Sequence, residues 1–127
     1  MVTAAPTPSS EYINISTSTL ITVNKNPQNV TVAAGGSATF TVDATNDTWW
    51  AWRFVSPDGV DEVIFDAIGT DNRYSDVFTG VTTTGGNSET FVVNNINASM
   101  NGWKVVCLLW DNAGGLKATE GGVITVS

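Results

Sequence analysis

The chain has 127 residues, 42% of them hydrophobic, with twelve acids against five bases and a net charge of −7. Its length and apolar content suit one domain with a single core. The five cations, Lys25, Arg53, Arg73, Lys104 and Lys117, form no run, so the basic footprint of a nucleic-acid binder is absent and an anionic membrane is a disfavoured partner.

Residues 1–19 are rich in Thr, Ser, Ala and Pro. Pro6 and Pro8 favour extended backbone, and the segment has too little apolar surface to build a core. It reads as an extended N-terminal arm joined to a domain over residues 20–127. Tyr12, Ile13 and Ile15 are its anchors, set either on a partner or along the chain's own domain. The start has no basic cluster and no apolar run long enough for a secretion signal or membrane span. The expectation is folding in a cytoplasm without a leader; the mature part of an exported protein would read the same way.

The domain reads as β throughout, with no sustained helical period. Residues 20–23 predict a first strand, broken at Asn26-Pro27 and resumed at residues 30–32. Gly35-Gly36 turns the chain. Residues 37–44 alternate, with Ala38, Phe40 and Val42 on one face. Residues 48–55 are the aromatic centre: Trp50, Trp52 and Phe54 share one face, Trp49 and Arg53 the other. Trp49 therefore points outward, as a binding anchor or over a neighbouring loop. Ser56-Pro57-Asp58-Gly59 is a turn, and residues 61–68 predict a weak strand. Residues 70–86 read as loop, with a short strand at residues 74–78 and an exposed polar stretch at residues 82–86. Residues 88–93 predict a strand with Phe91 and Val93 inward, and Ile96 closes the corner after it. Residues 101–110 form a strand with two apolar faces, Trp103, Val105, Cys107 and Leu109 on one and Val106, Leu108 and Trp110 on the other. A turn at residues 111–115 and a returning strand at residues 116–126 complete a hairpin.

The approach strand, the corner Asn97-Ala98-Ser99-Met100-Asn101-Gly102, the Cys107 strand and the Gly-rich hairpin together resemble strands E, F and G of an immunoglobulin-like domain. They are most similar to the bacterial and phage (I-set-like) versions. The resemblance extends over residues 20–126 and implies an all-β Greek-key sandwich of about seven to nine strands, with a split A/A′ strand. It implies that Trp52 is the core tryptophan packed against Cys107, with Trp50 as the alternative one pleat away. The chain departs from antibody-type domains at two places. Val42 stands where a second cysteine would pair with Cys107, and Val105 stands where a corner tyrosine would be. The expected core is Phe40, Val42, Trp52, Phe91, Val93, Ile96, Val105, Cys107 and Leu109.

No residue pattern calls for catalysis, a cofactor or a metal. Histidine is absent, which removes the ordinary triads and the commonest metal ligand. Cys107 has no base to activate it and reads as a small buried hydrophobe. The glycine pairs fit turns and bulges, not a phosphate loop. Asp58, Asp61, Asp66, Asp71 and Asp76 supply oxygens that a calcium ion would use, but in no EF-hand spacing. Four glycosylation sequons begin at Asn14, Asn29, Asn46 and Asn97.

The resemblance implies a non-enzymatic structural or binding module with a protein partner. The first expectation is an accessory, or decoration, protein on a tailed-phage virion, folded in the host cytoplasm and attached partly through its arm. The alternative is an adhesive or spacer domain of a bacterial cell-surface protein, with the arm as a linker. A third is weak glycan binding through exposed Trp49, Trp103 or Trp110.

Overall fold

The computed structural model describes residues 17–70 and 72–127; the arm anchors Tyr12, Ile13 and Ile15 lie outside them. Eleven strand segments run through the described residues. They are β1 (Thr22–Lys25), β2 (Val30–Val32), β3 (Ala38–Thr41), β4 (Asp43–Thr45), β5 (Trp49–Val55) and β6 (Glu62–Ile64). After these come β7 (Thr82–Thr84), β8 (Thr90–Asn94), β9 (Lys104–Trp110), β10 (Leu116–Ala118) and β11 (Gly122–Val126).

One layer runs β2-β11-β9-β5-β6, with β10 also on β9. The other is made of β1-β4 and β3-β8-β7. β3 and β4 are one strand interrupted at Val42, whose N–H still donates to the Glu89 carbonyl at 3.1 Å. β10 and β11 are likewise one strand broken at residues 119–121. The segments therefore fill the nine strand positions A, A′, B, C, C′, D, E, F and G. All pairings are antiparallel except β2 with β11, where Val30 opposes Ile124.

β9 is the axis of the larger layer. It pairs with β5 over its whole length, from Trp49 opposite Trp110 to Val55 opposite Lys104. That register sets Trp52 beside Cys107 on the inner face. Val105, Cys107 and Leu109 are fully buried there. Val106 and Leu108 point to the opposite face and are also buried. Gly121, in the break between β10 and β11, lies against Val106, and Ala51 and Ala118 flank Leu108 in register. A strand covered on both sides reads as a continuous apolar run, which is what residues 105–109 are.

The core between the layers also contains Phe40, Val42, Trp52, Phe91, Val93 and Ile96, all buried. Its centre is a chain of ring contacts. Trp52 stacks on Phe91, Phe54 meets Phe91 and Phe78, and Phe78 and Tyr74 both pack edge-on against Trp103. Trp50, one pleat from Trp52, is only half-buried, so Trp52 is the core indole. Its ring N–H donates to the Ser88 carbonyl at 2.7 Å, which satisfies the one polar atom the indole brings into the core.

The structure differs from the sequence expectation in the connection between β6 and β8. Residues 74–78 are not a strand. A 3-10 turn at Asn72–Tyr74 leads into further turns, in which the amides of Val77 and Phe78 both donate to the Tyr74 carbonyl. Helical spacing brings Tyr74 and Phe78 to one side, and both reach Trp103. The strand in this region is β7, within the stretch expected to be exposed loop. Its threonines are β-branched and alternate, and they pair with β8 from Thr82 opposite Asn94 to Thr84 opposite Val92. The strand expected over residues 61–68 is confined to β6, and the first strand starts two residues later than expected.

Candidate functional site

Within the segment expected to be arm, Thr17 and Ser18 already belong to the sandwich. Their amides donate to the Leu116 carbonyl at 2.7 and 3.0 Å. The Leu116 amide donates back to the Thr17 hydroxyl at 2.8 Å. The Ser18 hydroxyl donates to Asp111 Oδ2 at 2.5 Å and accepts the amides of Leu20 and Ile21, both at 3.1 Å. The first described residues are thus tied to the F–G hairpin, at one end of the larger layer.

Beside this junction the outer face carries a row of apolar side chains across three strands. Leu116 opposes Trp110, and Trp110 opposes Trp49. Leu116 and Trp110 are half-buried, and Trp49 is 52% exposed. Leu20 is exposed at the same end, where its carbonyl accepts the Asn46 side-chain amide at 3.0 Å. The neighbouring Trp50 is held differently, its ring N–H donating to Asp47 Oδ2 at 2.7 Å. Of the three tryptophans expected to offer a glycan platform, Trp103 is buried under Tyr74 and Phe78 and cannot serve, Trp110 is partly covered and Trp49 is open.

Asp111 organises the hairpin turn. Besides Ser18 it accepts the amides of Ala113 and Gly115 at 2.8 and 2.9 Å. These donors, Ser18 first, hold its carboxyl below the usual carboxylate range. The Asp-Asn-Ala-Gly-Gly sequence signals the turn; the bond to Ser18, far off in sequence, gives no local signal.

The acidic connections do not assemble into a site. Asp58 accepts the Ser56 hydroxyl at 2.5 Å and the Val60 amide at 3.0 Å, which lowers its pKa. Asp61 is engaged by the Tyr74 hydroxyl and by Arg73 Nη1 at 3.1 Å; the bond to Asp61 pushes the Tyr74 phenol up. Asp66 and Asp76 are exposed, and Asp71 lies outside the described residues. No three acids gather as a metal cage among the described residues. Arg53 forms an ion pair with Glu62 across β5 and β6, and burial lowers its pKa.

Cys107 is fully buried, and burial pushes its thiol up, away from the reactive thiolate. Its backbone is bracketed by Thr119, whose amide donates to the Cys107 carbonyl at 2.9 Å and whose hydroxyl accepts the Cys107 amide at 3.0 Å. Three sequon asparagines are structural ties. Asn29 accepts the Val123 amide, Asn46 reaches Leu20, and Asn97 caps a 3-10 turn while donating to the carbonyls of Val77 and Thr79. Asn14 lies outside the described residues.

The fold is that of an immunoglobulin-like domain. The N-terminal Ig1-2 module of the Drosophila receptor protein tyrosine phosphatase DLAR superposes with a TM-score of 0.51 at 17% identity, over 85% of this chain and 49% of that one. The titin domains z1z2 in complex with telethonin give 0.54 at 14% identity, over 87% and 49%. Dpr1 IG1 bound to DIP-eta IG1 gives 0.51 at 15% identity, over 84% and 95%. The chain spans about half the length of the first two of these. No protein-family pattern matches it, and no curated protein matches it in sequence.

Proposed function

We propose that this chain is a non-enzymatic immunoglobulin-like module that binds another protein, and that it serves as a decoration protein on a tailed-phage virion, attached partly through its N-terminal arm, residues 1–19. The observation that carries the reading is the apolar row Leu116, Trp110 and Trp49 beside the point where Thr17 joins the hairpin. A partner that grips the N-terminal segment meets an exposed indole next to it. Large aromatics of this kind supply much of the binding energy of protein interfaces. Two of the structural neighbours were solved with protein partners, telethonin and DIP-eta. The net charge of −7 favours a partner with cationic surface and disfavours DNA.

The test is binding of the purified chain, and of a version starting at Thr17, to phage heads that lack it. The reading expects the whole chain to bind and the shortened one to bind much more weakly. Failure of the whole chain to bind any head overturns it.

A second reading is an adhesive or spacer domain of a bacterial surface protein. It is favoured by the match to one half of two-domain modules. It predicts a folded neighbour next to this domain in the full-length protein.

A further inference from the structure

The junction between the N-terminal segment and the F–G hairpin is built differently from the rest of the fold. The sandwich is joined by apolar packing, whereas residues 17–20 are exposed or half-buried and are tied down by polar contacts. Besides the bonds to Leu116 and the bond from Asn46 to Leu20, those contacts centre on one pair. The Ser18 hydroxyl gives its proton to Asp111 and takes the amides of Leu20 and Ile21. Asp111, itself 6% exposed, holds the Ala113 and Gly115 amides with its other oxygen. Gly115 is needed for the fit: a Cβ there would stand 2.6 Å from Asp111 Oδ2 and 2.8 Å from Ser18 Cα. Ile21, the next residue in the chain, is buried in the core and β1 begins just after it, so the strap has a firm hinge.

We propose that Ser18 and Asp111 form a latch that holds residues 17–20 against the F–G hairpin, and that the latch opens locally, freeing residues 17–20 while both layers stay closed. A segment held by few buried apolar contacts and several polar ones sits at the low-stability end of a structure. A partner taking hold of the N-terminal segment would need to break this latch, the bonds of Thr17 and Ser18 to Leu116 and the bond from Asn46 to Leu20, but no contact between the layers.

The groups that face Asp111 are neutral. They are Ser18 from the strap and the Ala113 and Gly115 amides from the hairpin. Of the charged groups on the adjoining strands, Asp47, just before β5, is bonded to the Trp50 indole, and Lys117 on β10 makes no ion pair with Asp111. The charge on Asp111 is therefore held by hydrogen bonds alone. The depressed carboxyl gives the direction: the latch is closed above the ordinary carboxylate range and opens as pH falls through the lowered value.

Amide hydrogen exchange on the full chain tests this. Ser18→Ala, Asp111→Asn and Gly115→Ala should each speed exchange of the Leu20 and Ile21 amides about tenfold or more. The amides of Trp52 and Cys107 should keep their protection in all three. In the native chain the Leu20 and Ile21 protection should fall as pH drops below the ordinary carboxylate range and through the lowered Asp111 value, and in Asp111→Asn it should not respond. Unchanged exchange at Leu20 and Ile21 in all three variants would overturn the latch. So would loss of protection at Trp52 and Cys107 in step with Leu20, because the contact would then be part of the global fold.

Discussion

The indole of Trp52 lies flat on the ring of Phe91, with centroids 5.2 Å apart and planes 11° from parallel. Trp52 belongs to β5 in one layer and Phe91 to β8 in the other, so this stack is a direct bond between the two sheets. Cys107 sits beside Trp52 on β9 where an antibody-type domain would have a disulfide, and Val42 is buried in the opposite layer. Apolar packing holds the layers together in place of the covalent link.

Trp52→Ala should therefore cost about 3–5 kcal/mol, through the cavity and the lost stack. Trp52→Phe should cost less, since it keeps a ring against Phe91 while abandoning the Ser88 carbonyl. Urea denaturation of the two variants measures the difference. An alanine variant as stable as the native chain would refute the assignment of β5 and β9 to the core.

Cys107 should resist alkylation in the folded protein and react once denaturant is added, because the thiol is buried and protonated. Cys107→Ser should destabilise by about 1–3 kcal/mol by placing a hydroxyl in apolar packing. Mass spectrometry with and without denaturant reads the first outcome, and a thermal melt the second.

Thr119→Val should also destabilise, by about 1–3 kcal/mol, although valine matches threonine in shape. The Cys107 amide would lose the hydroxyl that accepts it and would stay buried without a partner. A melting temperature equal to that of the native chain would show that another acceptor takes over.

Stability should be lost toward acid through Asp58 and Asp111. Both carboxyls are depressed by hydrogen bonds made in the folded chain. Their contribution is complete above the unfolded pKa of about 3.9 and disappears as pH falls through the lower folded value. Melting temperature measured from pH 7 down to pH 2 should drop less in the double variant Asp58→Asn, Asp111→Asn than in the native chain.

Trp49→Ala separates binding from folding. An exposed side chain on the outer face should change stability by no more than about 0.5 kcal/mol. Under the proposed function the same change should weaken attachment to the particle at least tenfold. Full attachment by the variant would move the interface away from the apolar row.

Alternation alone was enough to sort the long strands. In residues 38–42 it puts Phe40 and Val42 on one face, and in residues 103–109 it puts Val105, Cys107 and Leu109 on one face. Both sets lie between the layers because a period of two admits only one way to bury an apolar face. The split first strand was legible from Asn26-Pro27, and the F–G turn from its Asp and Gly residues.

The short elements and the polar ties were decided by the tertiary structure. Thr82, Thr83 and Thr84 resemble loop in composition and became a strand because the edge of β8 offered partners. Tyr74 and Phe78 entered the core through a tight turn because Trp103 needed covering on that side. Asp111 meets Ser18, Thr119 brackets Cys107, and Asn97 reaches Val77 and Thr79 across gaps in sequence that no local pattern spans. Side-chain periodicity determines which face of a segment is buried, since that depends on neighbours one or two residues away. Which hydrogen-bond partner a polar group finds depends on where the fold has carried the rest of the chain.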